Sequence, residues 1–201
     1  MQNKNTCTIF VFCISVLLIS CSPKNFSSKY YHEHEKVLDQ IEESYKKIYS
    51  ATPFNIGFTS KDFNIVSLGI KTDSLKYIYE FKTDETRLAD TLAKYKLPAA
   101  AVIKLITQMQ SISCIWISNY DYYVDGKKQS LIFMSIKPVA VNALFSNKKY
   151  YILTYFQKPQ YFDENGQLLD KRSIRRLRKI NGDIFHRIND KVCYSVSVNY
   201  R

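Results

Sequence analysis

Two apolar-rich runs, 113–124 and 129–137, meet at Asp125-Gly126, and no other feature so narrows the folds open to this chain. Asp-Gly tolerates the positive φ angles that a tight turn between antiparallel strands demands. Strands joined so closely can pair only antiparallel. A second pair precedes them. Runs 63–70 and 75–82 flank Thr72-Asp73-Ser74, and the later one alternates, with Leu75, Tyr77, Tyr79 and Phe81 on one face and Lys76, Glu80 and Lys82 on the other. The same reasoning predicts strands over 149–157 and 192–200, with a turn at Asp163-Glu164-Asn165-Gly166 between them.

Helical periodicity fills the intervals. Val37, Leu38, Ile41, Tyr45 and Ile48 recur at three- and four-residue steps, which predicts a helix over 33–50, closed by Pro53. Leu88, Leu92 and Tyr95 mark a second helix over 84–95. Pro98 suits the first position of a third, over 98–111, apolar around most of its circumference. A fourth helix is expected over 173–189. The 46% hydrophobic content with only five Gly and five Pro excludes a disordered chain. The expected fold class is therefore α+β, an antiparallel sheet with helices packed on one face, in a single domain spanning 32–201.

The first residues have a different character. Lys4 is followed by an apolar run from Ile9 to Ile19 that only Ser15 interrupts, and Leu18-Ile19-Ser20-Cys21 closes it. The run is too short for a bilayer span, which needs about 20 apolar residues, and Pro23 stops it. It has the layout of a secretory signal over 1–20. The Leu18–Cys21 string resembles the lipobox of bacterial lipoproteins. That resemblance implies diacylglycerol transfer to the Cys21 sulfur, cleavage before Cys21 and fatty acylation of the new terminus. It also implies, from Ser22 rather than Asp after the cysteine, a cell-envelope location at the outer membrane facing the periplasm. Several acyl chains hold a protein on a membrane where one would not. Residues 21–31 show no periodicity and are expected to form an extended, lipidated tether.

About 180 residues remain after such a leader, enough for one sizeable core. Lys and Arg number 29 against 18 Asp and Glu, and only Lys4 leaves with the leader. In the cytoplasm that balance would point to nucleic acid; an exported, membrane-held domain does not meet it. The expected partners are the membrane itself, through the N-terminal lipid, and anionic lipid, glycolipid or an acidic envelope protein. Cys7 and Cys13 lie in the leader and Cys21 carries the anchor, which leaves Cys114 and Cys193 as a candidate disulfide in an oxidising compartment. Two buried free thiols are the alternative, and spacing does not decide between them.

Chemistry-bearing patterns are few. The run 171–179 holds six cations and no acid. On a helix, Arg172, Arg175, Arg176 and Lys179 would share one face with His186, forming a candidate anion-binding surface suited to phosphate; a solvated outer face is the plain alternative. Tyr120-Asp121-Tyr122-Tyr123 offers aromatic surface for a sugar or peptide, or simply sheet packing. His32-Glu33-His34-Glu35 does not read as a metal site, because ligands two apart on a helix diverge. No nucleophile elbow, phosphate-cradling glycine loop or cofactor fingerprint is present. The expectation is a non-catalytic interaction or assembly module. A small-ligand receptor for peptide or glycan and a carboxylate-dependent hydrolase stay open as alternatives.

Overall fold

The computed structural model describes residues 23–124, 126–139, 149–172 and 174–198. Helix α1 (Pro23–Tyr49) leads into β1 (Phe54–Phe58), β2 (Ile65–Lys71) and β3 (Lys76–Lys82). Helices α2 (Thr86–Lys94) and α3 (Ala99–Ser111) follow, then β4 (Trp116–Val124), β5 (Lys127–Val139) and β6 (Lys149–Phe156). Four short segments, β7 (Leu169–Lys171), β8 (Ile174–Leu177), β9 (Lys179–Ile180) and β10 (Asp183–Ile184), precede β11 (His186–Arg187) and β12 (Val192–Ser197).

Eight strands form one antiparallel sheet in the order β11-β12-β6-β5-β4-β1-β2-β3. The fold is α+β in a single domain, as the hairpins require. Alternation divides the sheet into two faces. Ile56, Leu68, Ile117, Met134 and Leu153 point toward the helices and pack with Leu38, Ile41, Leu92, Leu105 and Met109. Tyr45 closes this core, its hydroxyl donating to the Phe54 carbonyl at 2.6 Å. On the other face, Leu131, Phe133, Ile152 and Phe156 form a second core with Leu168, Ile180 and Phe185, so the β7–β10 meander lies over the β4–β6 and β12 half of the sheet.

The structure corrects two expectations and decides an alternative left open, that of the two cysteines. The tether does not begin as extended chain: Pro23 to Tyr31 is the start of α1. Ser27, Tyr30 and Tyr31 extend the buried stripe of Leu38 and Ile41 toward the N-terminus. Phe26 lies 4.8 Å from the Tyr151 ring, and the Tyr30 hydroxyl donates to the Ile112 carbonyl at 2.6 Å. The helix expected over 173–189 is not formed among the described residues, where 174–187 run as β8 to β11. Asn181 and Gly182, at φ +53° and +82°, reverse the chain so that Asp183 pairs with Ile180. Cys114 and Cys193 are free and buried, Cys114 in the helix-side core and Cys193 in the opposite one. Side chains on opposite faces of a sheet do not meet the geometry of a disulfide.

Candidate functional site

Sequence patterning put the aromatic run in a strand and the cations on a helix, with nothing to connect them. The fold brings them to one cleft of about 750 Å³, walled by Tyr120 to Tyr123 of β4 on one side and by Asp170 and Arg176 to Asn181 on the other. Tyr120 and Tyr122 stand on the meander side of the sheet, because positions two apart on a strand share a face. The Tyr120 hydroxyl donates to Asn181 Oδ1 at 2.7 Å, which ties the strand to the β9–β10 turn. Tyr122 meets Phe156 edge-on, ring centroids 6.1 Å apart. Burial raises its phenol above the usual tyrosine range, and the nearby Arg178 pulls it back. Tyr123 is 70% exposed at the hairpin end.

Charge in the cleft follows from who is already paired. Arg178, its side chain only 11% exposed, donates to Asp170 Oδ1 at 3.3 Å and to Gln160 Oε1 at 2.9 Å, and also to the Asp170 carbonyl. Asp121 is bridged by Lys128 at 2.8 Å. Both acids of the cleft are thus matched. Arg176 and Lys179 are exposed and have no ion-pair partner among the described residues. The result is an aromatic cleft with two uncommitted cations.

Of the four cations singled out from sequence, Arg176 and Lys179 line this cleft, whereas Arg172 and Arg175 are exposed outside it. Arg178, missed because the helical projection left it off the shared face, is the residue that fixes the wall. Cys21 lies outside the described residues. A neighbouring cleft of about 570 Å³ shares Tyr120 and Asp121 and continues past Asn119 and Tyr49 to the β2–β3 turn, Thr72 to Leu75. Together the two make a groove across one end of the sheet.

Comparison with protein-family models, with curated proteins and with solved structures finds no match. The site therefore stands on its own geometry. No helix among the described residues is long and apolar enough to cross a membrane.

Proposed function

We propose that this chain is a lipid-anchored, non-catalytic binding module of the cell envelope, and that its aromatic–basic cleft takes an acidic glycan. The observation that carries the reading is the meeting of Tyr120 and Tyr122 with Arg176 and Lys179, which have no ion-pair partner among the described residues. Aromatic faces suit the apolar side of a sugar ring, and guanidinium and ammonium groups suit its carboxylates or phosphates.

Orientation favours a glycan over the head groups of the chain's own leaflet. Pro23 opens α1 only two residues after Cys21, so the acyl chains would sit at the N-terminal end of the helix. A helix of 27 residues is about 40 Å long. Its far end, Tyr49, lines the groove that shares Tyr120 and Asp121 with the cleft. Pro23 and the groove thus lie at opposite ends of α1, an arrangement that would turn the cleft away from a membrane holding Cys21.

The test pairs location with binding. The Cys21→Ser chain should leave the membrane fraction for the soluble one. The full chain should bind a galacturonate oligomer about tenfold or more tightly than a neutral oligomer of equal length, and Arg176→Ala with Lys179→Ala should abolish that preference. Membrane retention of the serine variant refutes the anchor, and an unchanged preference in the double variant refutes the cleft.

A further inference from the structure

Away from the cleft, acid gathers where a strongly basic chain gives least reason to expect it. Tyr31, Glu35, Asp39 and Glu42 fall within about 80° of the circumference of α1, forming one stripe along the helix. This stripe, with Lys46 at its end, is one wall of a groove of about 570 Å³, whose other wall is the end of β6 from Tyr155 with the turn from Asn189 to Val192, Lys191 included. Glu35 accepts a hydrogen bond from the Tyr31 hydroxyl at 3.1 Å, and Asn189 donates to that hydroxyl at 3.0 Å. Asp39 and Glu42 have no ion-pair partner among the described residues; Lys46 and Lys191 are close enough to influence Glu42 without bridging it. Burial lifts both carboxyls above their usual range, Glu35 adding to the effect at Asp39.

A second observation is independent of the acids. Tyr155 is 7% exposed, and its hydroxyl has no hydrogen-bond partner among the described residues. A buried polar atom is ordinarily paired. Tyr155 stands on the helix side of β6 and lines the groove together with Tyr31, Asp39 and Glu42; burial raises its phenol, and those neighbours raise it further. The groove thus offers negative charge, aromatic surface and an unused hydroxyl at one place.

The spacing discriminates among cations. No three acidic, histidine or cysteine side chains among the described residues converge as metal ligands. The carboxylates are instead strung out, successive positions being separated by about 6 Å and 4.5 Å along the axis. Propane and butane spacers hold ammonium groups about 5–6 Å apart, and their methylenes suit the edge of the Tyr155 ring. We propose that this groove binds a linear polyamine, its ammonium groups on Glu35, Asp39 and Glu42 and its methylene chain against Tyr155.

Calorimetric titration of the full chain in detergent with spermidine tests this. Saturable one-to-one binding is expected, weakened at least tenfold by Asp39→Asn with Glu42→Gln, weakened less by Tyr155→Phe, and unaffected by Arg176→Ala with Lys179→Ala. Spermidine should also raise the melting temperature of the parent but not of the Asp39→Asn, Glu42→Gln chain. Absence of saturable heat, equal binding by that variant, or equal displacement by magnesium ion at matched charge would overturn the assignment.

Discussion

Replacing Gly57 by alanine sets two principles against each other. In an unobstructed strand the change is favourable, since glycine loses more backbone freedom on folding and alanine gains up to about 1 kcal/mol. Gly57 has no positive φ to protect. Its surroundings reverse the sign. A Cβ there would lie 1.9 Å from Trp116 Cε3 and 2.3 Å from Cζ3. Carbon atoms in favourable contact stand about 3.5–4.0 Å apart, so the indole must retreat by about 1.5–2 Å or the strands must part. Parting is costly at this place. The β1–β4 ladder joins the two halves of the sheet, and it consists of Ile56 opposite Ile117, Gly57 opposite Trp116, and the Phe58 amide donating to the Ile115 carbonyl at 2.9 Å.

Overpacking of this kind costs about 1–3 kcal/mol, which lowers the melting temperature by about 2–10 °C in a chain of this size. Trp116 is the single tryptophan, so urea unfolding followed by intrinsic fluorescence reports on the very ring displaced. Gly57→Ala should unfold at lower urea with altered native emission. In a Trp116→Leu background, where the obstruction is gone, the same substitution should be neutral or stabilising. A Gly57→Ala chain as stable as its parent, with unmoved emission, would refute the steric argument.

Cys114, its thiol pushed up to about 12 by burial, and Cys193, also raised by burial, should resist thiol reagents at pH 8 in the folded chain and react in denaturant, with or without prior reduction; rapid labelling of either in the native state would contradict their placement. Arg178→Ala should lose about 2 kcal/mol and increase amide exchange across the meander, whereas Arg176→Ala should stay within about 0.5 kcal/mol; equal effects would refute the division of roles between them. Asp39 and Glu42 titrate above their ordinary values of 3.8 and 4.5, so between those values and the raised ones the folded chain holds more protons than the unfolded. Stability should therefore fall as pH climbs through that window. Asp39→Asn with Glu42→Gln should flatten the slope that Glu35, Glu43, Lys46 and Lys191 otherwise modulate; an unchanged slope would refute the assignment.

The elements legible from sequence were those whose local signal and tertiary role agree. The tip of the β4–β5 hairpin has Gly126 at φ +72°, as its Asp-Gly pair demands, and α2 and α3 begin and end within a residue or two of the helical pattern. Strand β1 escaped although Phe54, Ile56 and Phe58 alternate, because Gly57 weakens a five-residue signal and its purpose, clearance for Trp116, exists only once β4 lies beside it. The first turns of α1 escaped because serine and tyrosine read as polar; it is the Ile112 carbonyl and Tyr151, distant in sequence, that make Tyr30 an interior residue and Phe26 a half-buried one. Ile174, Leu177, Ile184, Phe185 and Ile188 do fit a helical period, yet Asn181-Gly182 breaks it. A two-residue turn outranks a periodicity that must pass through glycine.

That one misassignment explains most of what sequence could not say about the sites. A helix would have put Arg172, Arg175, Arg176 and Lys179 on a common face; a meander separates neighbours, leaving two in the cleft and giving Arg178 the structural bond to Asp170. The tyrosines were placed correctly, yet their meeting with the cations is a long-range event fixed by Tyr120 and Asn181. The acidic stripe illustrates the converse. Its helix was recognised, but charges on a helix acquire meaning only from what packs beside them, and here that is Tyr155 on a strand more than a hundred residues later. Because the two sites are opposite in charge and lie on different walls of the domain, the two double variants, Arg176/Lys179 and Asp39/Glu42, should separate them. Each should lose its own ligand and keep the other's, whereas a domain bound only by diffuse charge would respond to net charge alone.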